Sequence, residues 1–128
     1  MINGIKIISK NLSLKEIRNL YSITDCYVSP YRAEGFNLTP LEAAACGSQI
    51  IITKGGCTDD YYNPCLGFQI ESSEKKLNNK YFLNPSLDSL VNILEDKVIN
   101  KPDTSKMERS NHVIKNFSWD KVVSKLKE

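Results

Sequence analysis

The chain has 128 residues, of which 41% are hydrophobic and 25% are charged, so it can bury one core but is too short for two substantial ones. Its net charge of +2 is too small to indicate binding to nucleic acid or a membrane surface through charge alone. No apolar run has the length of a transmembrane segment and no secretion signal is recognisable, so a cytoplasmic protein is expected.

The N-terminal part of the chain begins with a predicted strand and a predicted helix. Residues 5–8 are a short β-branched run, which indicates a strand. Ser13 and Glu16 have the spacing of a capping box, in which the serine accepts from the third helical N–H and the glutamate reaches back. Apolar residues follow at spacings of three and four, so an amphipathic helix that ends near Thr24 is predicted.

The next segment is predicted to run strand, loop and helix. Residues 26–28 form a strand that should stop at the following proline, because proline cannot donate to a ladder. After the loop, Thr39, Pro40 and Glu42 fit the cap, first and third positions of a helix start. Gly47 is placed to end this helix.

The second half of the chain completes an alternating pattern. Residues 49–53 contain three consecutive isoleucines, which is typical of a strand buried on both faces of a parallel sheet. Residues 66–70 are a further strand, and the polar residues 71–80 are predicted to be a surface loop. Helices are predicted over residues 86–95, about 105–115, and after Ser118. The alternation predicts an α/β protein with a mainly parallel sheet.

The segment from Pro30 to Gly47 is the candidate ligand site. In an open α/β sheet, ligands bind beyond the carboxyl ends of the strands, where a loop leads into a helix. The free N–H groups and the helix dipole at the Thr39 end favour a phosphate. Gly35 allows the backbone to approach a ligand, and Asn37 tolerates a left-handed conformation. The loop is therefore predicted to direct several N–H groups at one anion.

Glu34 and Glu42 are the candidate carboxylates of this site. They lie eight positions apart, one on the loop and one in the helix, and are expected to face the same cleft. A carboxylate accepts two hydrogen bonds at once, which matches the adjacent hydroxyls of a ribose and suits Glu42, leaving Glu34 for a sugar. Local spacing leaves alternatives open, since Glu42 also fits a capping box and Glu34 a solvated loop position.

The same segment resembles the donor-site signature of the retaining group 1 glycosyltransferases of GT-B fold. In that signature a Glu-Gly-Phe-Gly-Leu loop precedes a helix that carries a second glutamate, and Glu34 and Glu42 have the family's Glu-x7-Glu spacing. Residues 5–9, 14–25, 49–56 and 116–119 resemble flanking elements of the family. The resemblance implies a Rossmann-like parallel sheet flanked by helices, and identifies residues 1–128 as a single partial C-terminal, donor-binding domain of a GT-B glycosyltransferase.

The resemblance also implies roles for individual residues. Glu34 would be the catalytic residue that contacts the donor sugar, and Glu42 would bind the ribose. The backbone that meets the sugar and diphosphate would belong to Gly35, Phe36, Asn37, Leu38 and Thr39. The implied donor is a nucleotide sugar, transferred with retention, and neither a metal nor another cofactor is expected. Asn37 replaces a glycine that is usual in the family's loop.

The sequence also departs from the family in its extent. Two strand-helix units with basic residues that clamp the diphosphate, and the N-terminal acceptor domain, have no counterpart in these residues. We therefore expect the exposed sheet edge to pair with the strand at residues 5–8, or to be covered by a homo-oligomer or a separate N-terminal-domain partner. The alternative function is a non-autonomous or catalytically inactive module that binds a nucleotide sugar or a partner protein.

Other polar residues near the segment have two interpretations each. Arg32 and Lys54 either bind phosphate or are solvated cations. Asp59 and Asp60 are either part of the donor site or a helix cap. Tyr61 and Tyr62 either line a cleft or pack in the core. His112 is the single histidine and is far in sequence from them, so a histidine-based mechanism is not expected. The four cysteines form no CxxC pair, which indicates reduced structural cysteines.

Overall fold

A computed structural model describes residues 4–101 and 103–125 of the chain. It contains five helices and five strands within these residues. In chain order they are α1 (Leu14–Ile23), β1 (Cys26–Ser29), α2 (Leu38–Ala45), β2 (Gln49–Thr53), β3 (Gly67–Ile70), β4 (Ser72–Leu77), β5 (Lys80–Pro85), α3 (Leu87–Ile93), α4 (Lys106–Phe117) and α5 (Trp119–Lys125). A short 3-10 turn (Cys57–Asp60) precedes β3, and a π-helical segment (Leu94–Ile99) extends α3. None of the described helices is both long and apolar enough to cross a membrane.

The core lies around a three-stranded parallel sheet of order β1-β2-β3. In the central strand, Ile51 pairs with Val28 of β1 and Phe68 of β3, and Ile50 to Ile52 are fully buried. Helices α2 and α4 pack against it through Leu41 and Val113. The prediction of an α/β fold with a parallel sheet flanked by helices is confirmed, because β2 has the continuous apolar run that burial on both faces requires.

Helix α1 begins and ends where the sequence pattern predicts. The Glu16 carboxylate accepts from the Ser13 backbone N–H at 2.9 Å, and the Ser13 hydroxyl accepts from the Glu16 N–H at 3.3 Å. These two bonds are the predicted capping box. Thr24 is the residue that follows the last helical turn, as predicted.

Helix α2 begins two residues earlier than predicted, at Leu38 instead of Pro40. Asn37 precedes it in a left-handed conformation with φ of 60°, so Pro40 is the third helical residue and Glu42 the fifth. The predicted capping box at Thr39 is therefore wrong, because the turn at Asn37 starts the helix before Thr39 can cap it. The Thr39 hydroxyl accepts instead from the Tyr27 hydroxyl at 2.9 Å.

The end of α2 has the predicted glycine. Gly47 has a φ of 94°, and its N–H donates to the Ala44 carbonyl at 2.9 Å. The Ser48 N–H donates to the Ala43 carbonyl at 3.0 Å, so the two bonds form a Schellman motif.

The strand predicted at residues 5–8 is wrong. Ile5 makes a single bridge, and the residues from 6 to 9 are irregular and exposed. Ile7 remains 72% exposed, since the described chain offers this apolar run no surface on which to pack. The predicted pairing between this run and β1 is also wrong, and β1 is an edge strand of the described sheet.

The surface loop predicted at residues 71–80 is also wrong, because this segment belongs to an antiparallel hairpin of β4 and β5. Asn78 and Asn79 connect the strands with φ values of 49° and 61°, as a two-residue type I′ turn requires. Five of the six residues of β4 are exposed, so the strand lacks the apolar alternation by which strands are recognised in sequences.

Helix α4 carries a buried arginine that the sequence analysis did not single out. Arg109 is 1% exposed and donates to the Gly47 carbonyl and to the Cys65 carbonyl, each at 3.2 Å. It also forms an ion pair with Asp103. Arg109 thus joins α4 to the end of α2 and to the loop before β3. The four cysteines are free thiols.

Candidate functional site

The candidate site lies at one edge of the parallel sheet. The loop of residues 30–37 follows β1 and the glycine-containing loop of residues 54–56 follows β2. Because β1 and β2 are parallel neighbours, both loops leave the sheet at its carboxyl edge. The Leu83 N–H donates to the Arg32 carbonyl at 2.8 Å, which brings β5 next to the first loop.

Asn37 is held in its left-handed conformation by contacts on several sides. Its side-chain amide donates to the Ser29 hydroxyl at 3.0 Å, and its side-chain carbonyl accepts from Thr39 at 3.2 Å. The Tyr61 hydroxyl donates to the Asn37 backbone carbonyl at 2.9 Å. Burial raises the pKa of Tyr61, so this donor keeps its proton at neutral pH. The predicted left-handed tolerance of Asn37 is confirmed, and Tyr61 is a core residue.

The start of α2 has no side-chain cap. Pro40 contributes no N–H, and as the third helical residue it occupies a position that has no intrahelical partner in any case. The N–H groups of the first turn and the positive end of the helix dipole are therefore available to an anion.

Gly35, in the loop before this helix, has open space around it. A Cβ built at Gly35 would meet no atom within 4 Å, and its φ lies outside the left-handed region. Neither packing nor backbone conformation therefore requires glycine at this position. The open space is what the close approach of a ligand to the backbone would need.

Glu34 lines the first of two cavities, which we call the hairpin cleft. It has a volume of about 240 Å³ and lies between the loops after β1 and β2 and the β4–β5 hairpin. Its lining consists of residues 31–34, residues 55–57, Glu74 and residues 81–83. The hairpin residues of this cleft were not predicted from the sequence, which placed Glu74 in a surface loop and assigned no structure to residues 81–83. The turn signal Asn78-Asn79 was the available clue.

Glu42 lines the second cavity, which we call the helix groove. This groove has a volume of about 410 Å³ and lies between α2 and the helices α4 and α5. Its other lining residues are Phe36, Leu38, Leu41, Ala45, Val113, Ile114, Phe117, Ser118, Trp119 and Val122. Glu42 is the one charged side chain among them, so the groove combines an apolar floor with a single carboxylate.

The two glutamates do not share a cavity, since none of the described residues lines both. The expectation of one common cleft is therefore not met. Glu34 lies on the loop that faces the hairpin, whereas Glu42 lies a turn into α2 on the side of α4. Both are exposed, and neither belongs to an ion pair among the described residues. The capping alternative for Glu42 is wrong because Glu42 is the fifth residue of α2.

The loop after β2 is braced by Asp59. Its carboxylate accepts from the Gly55 N–H at 3.0 Å and from the Gln69 side chain at 2.6 Å. Asp59 lies inside the 3-10 turn and does not cap it, so the interpretation as a helix cap is wrong for this residue. A Cβ at Gly56 would lie 2.6 Å from the Tyr31 hydroxyl, so a larger residue there would displace this hydroxyl from its hydrogen bonds to Thr53 and Thr58.

The two cations near the site have different surroundings. The Lys54 ammonium lies 2.9 Å from the Glu71 carboxylate, and the hydrogen bond to Glu71 raises the pKa of Lys54. The Arg32 guanidinium lies 4.3 Å from the centre of the Phe82 ring and lines the hairpin cleft. Arg32 is thus the cation that a ligand in the cleft would meet. Among the described residues, no three His, Cys, Asp or Glu side chains are grouped as metal ligands.

The fold and the site together define an α/β domain whose ligand loops lie at the carboxyl edge of a parallel sheet. Residues 5–81, more than half of the chain, match the family described as glycosyl transferases group 1. The chain therefore belongs to the group 1 glycosyltransferase family.

One curated relative is the uncharacterized protein 356 of Sulfolobus islandicus rod-shaped virus 1. The two sequences are 30% identical over an alignment of 128 positions, which includes 92% of this chain and 36% of the relative. The chain thus spans about a third of the length of the curated relative that it matches.

Proposed function

We propose that the chain is the donor-binding part of a GT-B glycosyltransferase that transfers a sugar from a nucleoside-diphosphate sugar with retention. One observation carries the proposal. The uncapped start of α2 contributes Leu38 to the lining of the helix groove, the loop before it contributes Glu34 to the hairpin cleft, and each cavity thus has one of the two glutamates in its lining. A nucleotide sugar has the same order of parts, with a diphosphate between a sugar and a ribose.

The proposed roles follow from this order. Glu34 binds hydroxyls of the transferred sugar, and Glu42 binds the ribose hydroxyls at the mouth of the helix groove. The diphosphate lies against the backbone from Gly35 to Thr39, where the open space at Gly35 allows it to approach. Under this proposal, the two ends of one donor occupy different cavities, instead of the common cleft expected from the sequence.

The reaction breaks the bond between the anomeric carbon and the diphosphate oxygen, and an acceptor hydroxyl forms the new bond while its proton passes to the leaving diphosphate. Negative charge grows on the leaving diphosphate in the transition state. The first turn of α2 stabilises this charge with N–H groups and the helix dipole that are already in place. We propose that the chain needs no metal for this step.

A second candidate function is a binding module that does not catalyse alone. It is favoured by the edge position of β1, whose outer side has no strand partner among the described residues. Val28 of β1 and Ile23 of α1 are exposed, at 37% and 77%. A homo-oligomer or a separate N-terminal-domain partner that covers this edge would supply the acceptor site.

Binding and hydrolysis of labelled donors separate these two functions. UDP-glucose, UDP-galactose and GDP-mannose are incubated with the chain, and bound donor and released sugar are both measured. Hydrolysis supports an enzyme, and binding without hydrolysis supports a binding module. If the chain neither binds nor hydrolyses any donor, both proposed functions are contradicted.

Two substitutions test the proposed roles of the glutamates. Glu42→Gln is expected to weaken binding of UDP or GDP alone about tenfold, because hydrogen bonds to a charged group are lost. Glu34→Gln is expected to weaken only the donors that carry a sugar. Glu95→Gln is the matched control, since Glu95 is exposed and lines neither cavity. Equal effects of all three variants would contradict the assignment.

A further inference from the structure

The β4–β5 hairpin is attached to both ligand loops. The Leu83 N–H donates to the Arg32 carbonyl at 2.8 Å, and the Ser72 hydroxyl donates to the Lys54 carbonyl at 2.6 Å. The Leu83 side chain also lies so close to Gly56 that a Cβ there would be 2.8 Å away. The hairpin is therefore fixed over the carboxyl edge of the sheet on both sides.

Three residues on one face of the hairpin line the same cleft as Glu34. In the antiparallel register Glu74 pairs with Leu83 and Lys76 with Tyr81, so these four side chains share a face. Leu83 contacts Gly56, and both Glu74 and Tyr81 line the hairpin cleft. The cleft thus has a carboxylate on each of two walls, Glu34 on the loop and Glu74 on the hairpin.

The charges of the cleft indicate which part of a donor it accepts. The Lys76 ammonium lies next to the cleft, 5.2 Å from the centre of the Tyr81 ring, so Lys76 and Arg32 together balance the two carboxylates and leave no excess positive charge for a diphosphate. The two carboxylates favour a neutral, hydroxyl-rich group, since an ionised carboxylate is a strong hydrogen-bond acceptor. The Tyr81 ring adds apolar surface for the C–H groups of such a ligand.

The size of the cleft points to the same part of the donor. At about 240 Å³, it lies below the range of roughly 300–1,000 Å³ that is typical of pockets for drug-sized ligands. A cleft of this size suits one sugar ring rather than a whole nucleotide.

We propose that the hairpin forms the second wall of the sugar subsite, and that Glu74 and Tyr81 determine which sugar is accepted. Glu74 accepts hydrogen bonds from sugar hydroxyls opposite those bound by Glu34, and Tyr81 packs against the ring. This inference rests on the proposed function, because it requires that the donor's sugar enters the cleft of Glu34.

The test compares sugar nucleotides with the nucleotides alone. Affinities of the full chain for UDP-glucose, UDP-galactose, GDP-mannose, UDP and GDP are measured by calorimetry in the wild type, Glu74→Gln and Tyr81→Ala. Each variant is expected to raise the Kd of the preferred sugar nucleotide about tenfold and to leave the Kd of UDP and GDP within about twofold. Glu74→Gln should also reduce the difference in affinity between UDP-glucose and UDP-galactose, whose sugars differ only in the configuration of one hydroxyl.

Two controls separate recognition from folding. Glu95→Gln removes an exposed carboxylate that lines neither cavity and should bind like the wild type, whereas Tyr81→Phe keeps the ring and should lose less affinity than Tyr81→Ala. Hydrogen exchange of the Leu83 amide, which donates to Arg32, reports whether the hairpin stays in place in each variant.

The outcomes distinguish this inference from the function on which it rests. If the wild type binds UDP or GDP and an attached sugar does not increase its affinity, the hairpin is not a wall of the sugar subsite. The same conclusion follows if both hairpin variants keep wild-type affinities. In either case the proposed binding of the nucleotide is not contradicted. If the wild type binds no nucleotide at all, the proposed function fails and this inference fails with it.

Discussion

The parallel sheet and the β4–β5 hairpin are stabilised in different ways. In β2, four of the five residues are buried, whereas in β4 five of the six are exposed. The sheet is held by burial of apolar side chains in contact with two helices, and the hairpin by strand pairing and a left-handed turn. We infer that damage to the sheet unfolds the whole chain, while damage to the hairpin stays local.

Gly67→Ala should have the largest effect on the sheet. Gly67 has a φ of 151°, and a Cβ there would overlap the Ile50 carbonyl oxygen and lie 2.7 Å from the Ile50 nitrogen. Because the overlap is with backbone in the middle of the sheet, neither strand can yield without loss of pairing. We expect the free energy of unfolding to fall by about 4 kcal/mol or more, measured by urea denaturation.

Gly35→Ala is the matched control for this substitution. The open space around Gly35 means that the same added methyl group should change stability by less than about 0.5 kcal/mol. Under the proposed function it should still weaken nucleotide binding, because the methyl group enters the space assigned to the diphosphate. A comparable loss of stability in both variants would show that steric overlap is not the cause.

Arg109→Met should have the next largest effect. The substitution keeps an unbranched side chain but leaves Asp103 and the carbonyls of Gly47 and Cys65 without their donor. Breaking a buried ion pair in this way costs about 3 kcal/mol. Thermal unfolding of Arg109→Met is compared with that of Arg18→Met, an exposed position on α1. Similar melting temperatures for the two variants would contradict a structural role for Arg109.

The same difference between sheet and hairpin explains what could be predicted from the sequence. The buried strand β2 and the capped helix α1 were predicted because apolar runs and capping boxes are local patterns. The run at residues 5–8 has the same local pattern but is not a strand, since whether such a run pairs depends on partners elsewhere in the chain. Polar β4 was missed because its only local signal is the turn at Asn78 and Asn79.

In the candidate site, too, local features were predicted and features that depend on distant elements were not. Glu34, Glu42 and Asn37 were predicted from the spacing within one continuous segment and its resemblance to the family signature, and the left-handed conformation of Asn37 is confirmed. That spacing did not reveal that Glu34 and Glu42 line different cavities, because the walls come from distant elements. Glu74 lies 40 positions after Glu34 and reaches the cleft only through the hairpin fold.

Asn79→Val should show that hairpin damage stays local. Asn79 has a φ of 61°, which a β-branched residue adopts only with strain. We expect a loss of about 1 kcal/mol that is confined to the hairpin. Hydrogen exchange should accelerate at the Leu83 amide and remain unchanged at the Ile51 amide in β2. Asn79→Gly should keep wild-type exchange, and equal acceleration at both amides in Asn79→Val would show that hairpin and sheet unfold together.

The smallest predicted effect is a pH dependence that belongs to the sheet region. Burial raises the pKa of the Cys26 thiol in β1 to about 11, above its ordinary value of 9.0, and that of Tyr21 in α1 to about 12. The unfolded thiol ionises near its ordinary pKa while the folded thiol stays protonated, so stability that is present below pH 9.0 is lost as the pH rises toward 11. Urea denaturation at a series of pH values should show this fall in the wild type and a shallower one in Cys26→Ala, where Tyr21 still contributes at the highest values. Identical slopes in the two proteins would mean that the Cys26 thiol is open to water in solution, and that the edge strand β1 is less tightly packed than the rest of the sheet.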